Sequence, residues 1–330
     1  MQTTLETLFT HHHLNREEAT EILMELTRGS YNNSQMASFL TVFRMRNITV
    51  EELNGFREAM LELCVSLDFS EFNTIDLCGT GGDGKNTFNI STLASFITAG
   101  AGLDVVKHGN YSISSTCGSS NILEYYGYKF SNTQDKLKNE IDKCNICFLH
   151  APLFHPAMKN VAPVRKALGV KTFFNMLGPL VNPANPSNQL IGVYSPEICR
   201  LYNYLHQKLN KNYMIVHTLD GYDEISLTGP ARIESSTGSE IVYPEELAES
   251  QYSAKDISGG PNVEESAKIF LNVLKGKGTR AQNEIAIANA ALAIQVYYPE
   301  KSREECFEMA RKSLFGKKAL EKFKHLIEMQ

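Results

Sequence analysis

The sequence has no long apolar run and no recognisable leader. Among its 330 residues, no stretch approaches the roughly 18 consecutive apolar residues that indicate a membrane-spanning helix. Residues 1–6 have neither the basic start nor the apolar centre of a secretory signal peptide. These two absences predict a cytoplasmic protein that does not bind a membrane.

An excess of basic residues is also missing. The formal net charge is -5 and the isoelectric point is about 6.0, so the protein as a whole does not attract nucleic acid. Any bound anion must therefore be held by a local pocket.

The seven scattered cysteines are an odd number, which is typical of reduced thiols. Cys144 and Cys147 have redox or zinc spacing, but no second pair accompanies them, and their apolar neighbours favour a structural role.

The densest glycine cluster follows a short apolar run. Residues 75–78 are typical of a buried strand, and four of the next six residues, 79–84, are glycine. Glycine has no Cβ atom, so the backbone amides of such a loop can approach an anion closely. Asn89, or Ser91 just after it, can then cap a helix whose N-terminus adds free N–H groups and partial positive charge. The pattern predicts a phosphate-binding loop.

Two better-known phosphate-binding patterns overlap with this loop. Residues 79–84 satisfy the G-x-G-x-x-G pattern of dinucleotide-binding folds, with Asp104 placed 20 residues beyond the last glycine. However, the helix cap comes late, and Asp104 precedes the apolar pair 105–106 instead of ending a strand. The loop also nearly spells a P-loop, but Asn86 follows Lys85 where a magnesium-binding hydroxyl is needed. A glycine turn without a ligand is the remaining alternative.

The first 68 residues are predicted to form three or four short helices. Each of three start signals pairs a capping residue with a partner three positions on: Asn15 with Glu18, Asn32 with Gln35, and Thr49 with Glu52. Gly29 is predicted to end one of these helices. A helical unit of this size buries little surface alone, so we expect it to pack on the rest of the chain or on a second subunit.

From Phe72 onward, apolar runs alternate with helical patterns. The predicted strands cover residues 75–78, 105–106, 146–149, 191–194 and 213–217. The predicted helices cover residues 91–100, 197–209, 263–274, 281–296 and 303–315. The fold class is therefore α/β, with a small all-helical N-terminal domain, completed by a later helical segment, and a larger α/β domain with a mostly parallel central sheet.

Proline-rich stretches suggest where the chain passes between these domains. Residues 155–169 and 175–186 carry five prolines on both sides of a short helical piece. We expect this piece to leave the α/β body, visit the helical unit and return. The predicted helical domain is 1–70 plus about 165–188, and the predicted α/β domain is 71–164 plus about 189–330.

A second polar loop follows the strand at 105–106. Lys107 can neutralise a phosphate there, and Ser119 can hydrogen-bond it. His108 is either a general base or a group that orients a substrate, and its position beside a lysine favours orientation. Because ligands bind beyond the carboxyl ends of the strands in an open parallel sheet, this loop should neighbour the first one.

A third loop contains two adjacent carboxylates. Asp223 and Glu224 follow the predicted strand 213–217, at the same edge of the sheet. Adjacent carboxylates alone are typical of a solvated turn. Beside two phosphate loops, however, they match the preference of magnesium for oxygen ligands that bridge to substrate phosphates. A diphosphate is therefore the predicted ligand.

These motifs resemble the anthranilate phosphoribosyltransferase family over nearly the whole chain. They are Gly79-Thr-Gly-Gly-Asp83, Asn89-Ile-Ser-Thr92, Lys107-His-Gly-Asn110, His155-Pro-Ala-Met158, Val161-Ala-Pro-Val-Arg165, Asn175-Met-Leu-Gly-Pro-Leu180 and Asp223-Glu224. Pyrimidine nucleoside phosphorylases share the fold and similar loops, but the Val-Ala-Pro-Val-Arg and Asp-Glu motifs separate the two families. The sequence departs from the family pattern in two places: Tyr111 stands where Arg is usual, and Cys117-Gly-Ser-Ser-Asn121 stands where Ser-Gly-Ser-Ala-Asp is usual.

The resemblance implies an activity and a set of site residues. The activity is transfer of the phosphoribosyl group of phosphoribosyl diphosphate to the amine of anthranilate, in tryptophan biosynthesis, with two Mg²⁺ ions per active site. The implied metal-binding residues are Ser91, Asp223 and Glu224. The implied phosphoribosyl diphosphate contacts are Gly79, Thr80, Gly82, Asp83, Thr87, Asn89, Ser91, Thr92, Lys107 and Ser119. The implied anthranilate contacts are Gly79, His108, Asn110, Arg165, Gly178 and Pro179, of which His108 and Asn110 orient the substrate and none is a covalent nucleophile.

The family resemblance also implies a homodimer formed through the helical unit. Two other functions remain open for the same fold. A pyrimidine nucleoside phosphorylase would use inorganic phosphate and no metal. A nucleic-acid-binding relative should carry a basic face and lack the acidic pair, whereas this chain is acidic and has Asp223 and Glu224.

Overall fold

The computed structural model describes residues 1–112 and 116–330 of the chain. Its strands are β1 Thr74–Gly79, β2 Asp104–Gly109, β3 Ile146–His150, β4 Asn188–Gly192, β5 Asn212–Thr218, β6 Ala231–Ser235 and β7 Gly238–Val242. Its helices are α1 Gln2–Phe9, α2 Arg16–Arg28, α3 Asn33–Met45, α4 Val50–Glu62, α5 Ile90–Gly100, α6 Ser119–Tyr125, α7 Gln134–Cys144, α8 Ala151–Phe154, α9 Ala162–Leu168, α10 Phe174–Leu177, α11 Pro196–His206, α12 Pro244–Leu247, α13 Val263–Leu274, α14 Arg280–Tyr297, α15 Arg303–Phe315 and α16 Lys318–Glu328. Short 3-10 helices cover Pro156–Asn160 and Gly178–Leu180.

The chain divides into two compact units. The helical unit comprises Met1–Leu67 and Ala151–Pro183, and the α/β unit comprises Asp68–His150 and Ala184–Gln330. The second segment of the helical unit is thus 151–183, where the sequence suggested about 165–188. The predicted fold class is confirmed, since one unit is all-helical and the other contains a mostly parallel sheet. Within the described residues, no helix is both long and apolar enough to cross a membrane.

The helices of the first unit begin where the capping signals predicted. Asn15, Asn32 and Thr49 each accept a hydrogen bond from the backbone N–H three residues on, and the side chain of that partner accepts one from the backbone N–H of the capping residue. These capping boxes satisfy backbone N–H groups that a helix N-terminus leaves without partners. Gly29 ends α2 in the left-handed region, at φ 82°, as predicted.

Aromatic side chains fill the core of the helical unit. Phe56 on α4 stacks on Phe173, with ring centroids 4.3 Å apart, and Phe173 stacks on Phe174 at 4.5 Å. Phe39 and Phe43 meet Phe56 edge to face, at 6.1 and 5.3 Å. Such offset and edge-to-face pairs stabilise a core beyond the effect of their buried area. The packing joins α3 and α4 to the returning segment of the chain.

The α/β unit is built on a seven-stranded sheet in the order β3-β2-β1-β4-β5-β6-β7. The first five strands in this order are parallel, and β6 and β7 add an antiparallel edge. In register, Gly79 at the end of β1 lies opposite Gly192 at the end of β4, which lies opposite Val216 of β5. The loops that follow β1, β2 and β5 therefore leave from one edge of the sheet.

Several elements of this unit differ from the sequence prediction. The strand predicted at 191–194 is β4, which begins earlier because its buried polar residue Asn188 donates hydrogen bonds to Thr74 O and Asn73 Oδ1. The β6–β7 hairpin was not predicted, since β7 is exposed over Gly238–Ile241 and has no apolar pattern. Helix α16 was also not predicted, and α11 ends at His206, short of residue 209.

Candidate active site

The glycine loop after β1 adopts the conformations that only glycine reaches easily. Gly81, Gly82 and Gly84 have φ values of 65°, 76° and 75°. Gly79 is required for space instead, because a Cβ atom there would lie 2.4 Å from Asp223 Oδ2. The loop therefore follows a backbone path that glycine permits, as in known anion-binding loops, and it packs directly on Asp223.

Helix α5 begins beside this loop, but its cap differs from the prediction. Asn89 occupies the N-cap position, yet its side chain makes no capping hydrogen bond and donates instead to Cys117 O at 2.9 Å. Ser91 does not act as the cap either. Its backbone N–H donates to Glu224 Oε1 at 2.9 Å. The carboxylate of Glu224, 133 residues further along the chain, thus accepts a hydrogen bond from the N-terminus of α5. Local sequence patterns could not indicate this contact.

Asp223 and Glu224, in the loop after β5, are held in place by hydrogen bonds to and from backbone and side-chain groups. Gly81 N–H donates to Asp223 Oδ2 at 2.6 Å, and Thr218 Oγ1 donates to Glu224 O at 2.6 Å. Asn289 on α14 donates to Ile225 O and accepts from Ile225 N–H, at 2.8 and 3.1 Å. These contacts fix the direction of both carboxylates. Sequence reasoning missed Asn289 because an isolated asparagine in an apolar helix gives no motif.

Gly192 permits the close approach of this loop to the sheet. A Cβ atom at Gly192 would lie 1.6 Å from the backbone oxygen of Asp223. No rotamer change relieves an overlap with backbone, so only glycine is compatible with this packing. The acidic loop therefore rests directly on the end of β4.

Three carboxylates at this edge repel one another. The pKa of Asp223 is raised to about 7, mainly because the carboxyl is buried and secondly because of the negative charge of Asp83. The pKa of Glu224 is raised well above its usual range, mainly by burial and secondly by the negative charge of Asp223. Burial also raises the pKa of Asp83. The free energy of this cluster falls when a cation binds, because a cation compensates the buried negative charge.

Magnesium fits this donor set when a phosphate ligand completes it. Within residues 1–112 and 116–330, no three His, Cys, Asp or Glu side chains are grouped so as to hold a metal alone. The site instead offers the carboxylate oxygens of Asp223 and Glu224 and the hydroxyl of Ser91. Mg²⁺ is usually bound by one or two carboxylates together with substrate phosphates, so a preformed cage is not needed.

Lys107 places a positive charge beside these groups. It is almost fully buried, and its Nζ donates to Leu77 O at 2.6 Å and to Ser91 Oγ at 3.4 Å. Thr80 offers a further donor, since its Oγ1 is buried without a hydrogen-bond partner in the described part of the chain. Thr92 is buried on α5. The backbone of Thr87 pairs with that of Ser258 in an isolated antiparallel bridge, which fixes the far end of the glycine loop.

The loop after β2 is only partly described. His108 is buried, and its backbone N–H donates to Asp76 Oδ1 at 3.1 Å. Ser119 Oγ donates to Asn110 O at 3.3 Å, so these two predicted residues are neighbours. Between them, residues 113–115 lie outside the described part.

Tyr111 and Asn121, which both depart from the family pattern, stabilise this same loop. Tyr111 donates from its hydroxyl to Glu124 Oε1 at 3.2 Å, and its ring meets His150 edge to face at 4.9 Å. Asn121 Oδ1 accepts from the backbone N–H groups of Ser112 and Gly118, at 3.3 and 3.0 Å. Uncharged side chains therefore hold the loop by hydrogen bonds at these two positions.

The remaining predicted residues belong to the helical unit. Arg165 lies on α9, and Gly178 and Pro179 begin the 3-10 helix Gly178–Leu180. The Arg165 guanidinium lies 5.2 Å from the ring centroid of Phe174 and donates to Asn175 Oδ1 at 3.5 Å. Burial lowers the pKa of Arg165. Among the described residues no carboxylate forms an ion pair with this guanidinium, so it can accept an external carboxylate.

The fold and this site define a class of protein, and family models identify it. The model described as "Glycosyl transferase family, helical bundle domain" matches residues 2–64, and "Glycosyl transferase family, a/b domain" matches residues 71–320. The two matches cover most of the chain. The chain therefore belongs to this glycosyl transferase family.

Individual relatives narrow the comparison. An anthranilate phosphoribosyltransferase of Flavobacterium johnsoniae is 56% identical over 329 residues, covering 100% of this chain and 99% of the relative. The crystal structure of anthranilate phosphoribosyltransferase from Thermus thermophilus is 31% identical, with a TM-score of 0.92 and 98% of each chain covered. The enzyme from Saccharomyces cerevisiae, solved in complex with PRPP and Mg, is 25% identical, with a TM-score of 0.91 over 99% of this chain and 96% of that one. The family resemblance predicted from the motifs is confirmed.

Proposed function

We propose that this chain is an anthranilate phosphoribosyltransferase. It transfers the phosphoribosyl group of phosphoribosyl diphosphate to the amine of anthranilate and releases diphosphate, as a step of tryptophan biosynthesis. The observation that carries this proposal is the contact of the glycine loop with the acidic pair, in which Gly81 N–H donates to Asp223 and Ser91 N–H to Glu224. The full-length similarity to relatives of that name supports it.

Phosphoribosyl diphosphate would bind along the loop after β1 and the start of α5. Its proposed contacts are Gly79, Thr80, Gly82, Asp83, Thr87, Asn89, Ser91, Thr92, Lys107 and Ser119. Support comes from the left-handed glycines, from the buried hydroxyl of Thr80 that lacks a partner in the described residues, and from the buried Lys107. Backbone amides, hydroxyls and a lysine are the groups that bind phosphate oxygens in proteins.

Magnesium would be held by Ser91, Asp223 and Glu224 together with the diphosphate, at two ions per site. When bound, it supplies positive charge that stabilises the departing diphosphate. The raised pKa values of Asp223 and Glu224, caused first by burial, support a role in cation binding over a structural role. The residues of the chain fix the positions of the two carboxylates through Gly81, Thr218 and Ser91.

Anthranilate would be recognised through its two neighbouring substituents, the carboxylate and the amine, and through the ring itself. Arg165 would bind the carboxylate, since a planar guanidinium matches a carboxylate with two parallel hydrogen bonds. His108 and Asn110 would orient the amine, and Gly79, Gly178 and Pro179 would contact the ring. The burial of Arg165, without an acidic partner among the described residues, supports this assignment.

The chemistry needs no nucleophile from the protein. The amine nitrogen forms a bond to ribose C1 while the bond from C1 to the diphosphate oxygen breaks, and the amine then loses a proton to solvent. The residues act by holding the two substrates in line and by stabilising charge on the leaving group. His108 and Asn110 are therefore orienting groups.

Product analysis tests this proposal. Purified protein incubated with anthranilate, phosphoribosyl diphosphate and Mg²⁺ should yield N-(5-phosphoribosyl)anthranilate and diphosphate in equal amounts, measured by mass spectrometry and phosphorus NMR. A reaction without anthranilate is the control. Phosphorolysis of uridine or thymidine, without the anthranilate product, would instead identify a pyrimidine nucleoside phosphorylase.

We also propose a cytoplasmic homodimer formed through the helical unit. Helices α1 and α9 both pack on α3, and exposed apolar residues on or next to these elements include Phe9, Met45 and Val170. Burying such residues against a second copy would be favourable. Sedimentation equilibrium measures the mass, and a value of 36.9 kDa would contradict the dimer.

The seven unpaired cysteines are consistent with a reducing compartment, which cell fractionation would test.

A further inference from the structure

Lys85 is a basic residue of the glycine loop that the residues proposed above do not include. It follows Gly84, and its backbone N–H donates to Asp83 Oδ1 at 2.9 Å. Its side-chain Nζ lies 4.6 Å from the ring centroid of Tyr222, the residue before Asp223. The side chain of Lys85 is thus directed from one ligand-binding loop towards the next.

The backbone around Lys85 is anchored on both sides. Before it lies the hydrogen bond to Asp83, and after it Asn86 O accepts from Gly259 N–H at 2.7 Å. Phe88 N–H donates to Ile257 O at 3.2 Å, beside the bridge between Thr87 and Ser258. The position of the Lys85 Cα atom is therefore set by the fold, and only the side chain remains adjustable.

The ammonium group of Lys85 is available for an anion. In the part of the chain that the structure describes, no carboxylate lies within ion-pair distance of it, whereas the ammonium of Lys107 already donates to Leu77 O and Ser91 Oγ. The Tyr222 ring is almost fully buried, so it forms a fixed surface beneath the lysine. A cation held over an aromatic face keeps its N–H groups free for a further partner.

The electrostatic balance of the site indicates what that partner is. Three acidic side chains, those of Asp83, Asp223 and Glu224, lie at the point where the diphosphate would bind with its magnesium. Lys85 lies next to this acidic cluster, since Asp83 Oδ1 accepts from its backbone N–H and Tyr222, beneath its ammonium, directly precedes Asp223. A diphosphate adds several further negative charges, so a second lysine at the open side of the loop would reduce the repulsion.

We propose that Lys85, supported by the ring of Tyr222, binds the diphosphate group of phosphoribosyl diphosphate. This inference rests on the proposed function, and it assigns the diphosphate a contact outside the set that the family resemblance implied. Lys107 would contact the diphosphate from the buried side of the site, and Lys85 would contact it from the side next to Tyr222. The residue contributes to substrate binding and to stabilisation of the leaving group.

Binding of inorganic diphosphate tests this assignment without requiring turnover. Isothermal titration calorimetry with Mg²⁺ should give a dissociation constant about tenfold weaker for Lys85→Met than for the unaltered protein, as expected for one charged hydrogen bond. Lys85→Arg should retain binding within about threefold, because it keeps the charge. Affinity for anthranilate should be unchanged in both variants.

Lys301 provides a matched control in the same unit. Its Nζ lies 5.4 Å from the ring centroid of Tyr298, a similar geometry far along the chain from the glycine loop. Lys301→Met should bind diphosphate like the unaltered protein. Equal affinity of Lys85→Met and the unaltered protein would overturn the assignment, and so would equal losses in Lys85→Met and Lys85→Arg. Failure of the unaltered protein itself to bind diphosphate would instead refute the proposed function.

Discussion

At the scale of single residues, the acidic pair combines two demands. Asp223 and Glu224 are held rigidly by backbone N–H groups, yet burial raises both pKa values. Such a pair is costly in the absence of a cation and favourable in its presence. In our proposal the empty site is therefore less stable, and the same two carboxylates give the site its affinity for a magnesium-bound diphosphate.

Replacing both carboxylates by amides tests this role. The double variant Asp223→Asn with Glu224→Gln should lose about 100-fold or more in kcat, because stabilisation of the leaving group is lost. The anthranilate KM should change by less than about threefold. Thermal melting without magnesium should not decrease, since the amides keep the hydrogen-bond acceptors and remove the repulsion. Equal losses in kcat and in anthranilate affinity would contradict a metal-binding role.

Arg165 is the residue on which anthranilate recognition depends in our proposal. Arg165→Ala should raise the anthranilate KM by about tenfold or more, because a buried carboxylate would lose its charged partner. Arg165→Lys should recover only part of this loss, since lysine cannot form the two-pronged contact. Arg28→Ala is a suitable control, because Arg28 is an exposed arginine paired with Glu25 in the same unit. An unchanged anthranilate KM in Arg165→Ala would refute the assignment.

At the scale of secondary-structure elements, the site depends on close packing at the ends of strands. Gly192 at the end of β4 admits the backbone of Asp223, so the acidic loop rests on the sheet. Gly192→Ala should displace this loop, with a stability loss of about 1–3 kcal/mol and a large fall in kcat/KM. Gly229→Ala is the control, since the nearest atom to its added Cβ is 3.9 Å away. Thermal melting and steady-state kinetics of both variants check the prediction, and wild-type activity of Gly192→Ala would contradict it.

The elements also show which local patterns determine structure and which do not. The helix starts at Asn15, Asn32 and Thr49 could be predicted because each capping box uses residues three positions apart. The start of β4 could not, because Asn188 is buried through hydrogen bonds to residues more than 100 positions away. The β6–β7 hairpin was missed for a related reason: it is a sheet edge with little apolar surface on β7.

The same distinction applies to the site. The glycine loop, Lys107 and the acidic pair could be selected from the sequence as candidate phosphate and metal ligands, since glycine spacing and adjacent carboxylates are visible along the chain. The residues that hold these candidate ligands in place could not be predicted from the sequence. Gly192 and Asn289 act through contacts with a loop that lies far from them in sequence, and the use of Glu224 as the cap of α5 depends on the same folding.

At the scale of the whole molecule, a buried histidine links stability to pH. Burial lowers the pKa of His155 to about 4, against which hydrogen bonds to the backbone of Val181 and Met60 act only weakly. The unfolded chain, with an ordinary pKa near 6.5, binds a proton that the folded chain does not bind. The contribution of His155 to stability should therefore be constant above about pH 7 and fall as the pH drops from about 6.5 towards 4.

Urea unfolding at pH 7.5 and pH 5 measures this effect. The free energy of unfolding should fall by about 2 kcal/mol more in the unaltered protein than in His155→Gln, which cannot bind the proton. The difference between the two proteins removes the contribution of the carboxylates that titrate in the same range. The same pH dependence in both proteins would show that His155 does not supply it.

The most direct test of the central claim is a time course of anthranilate fluorescence. Purified protein is mixed with anthranilate, phosphoribosyl diphosphate and Mg²⁺, and the measurement is repeated with EDTA in excess of the metal. We predict that the fluorescence falls as anthranilate is consumed and that EDTA abolishes the fall. Folded protein that leaves the fluorescence constant in both conditions would contradict the assignment as an anthranilate phosphoribosyltransferase, and a fall that persists in EDTA would contradict the proposed role of Asp223 and Glu224.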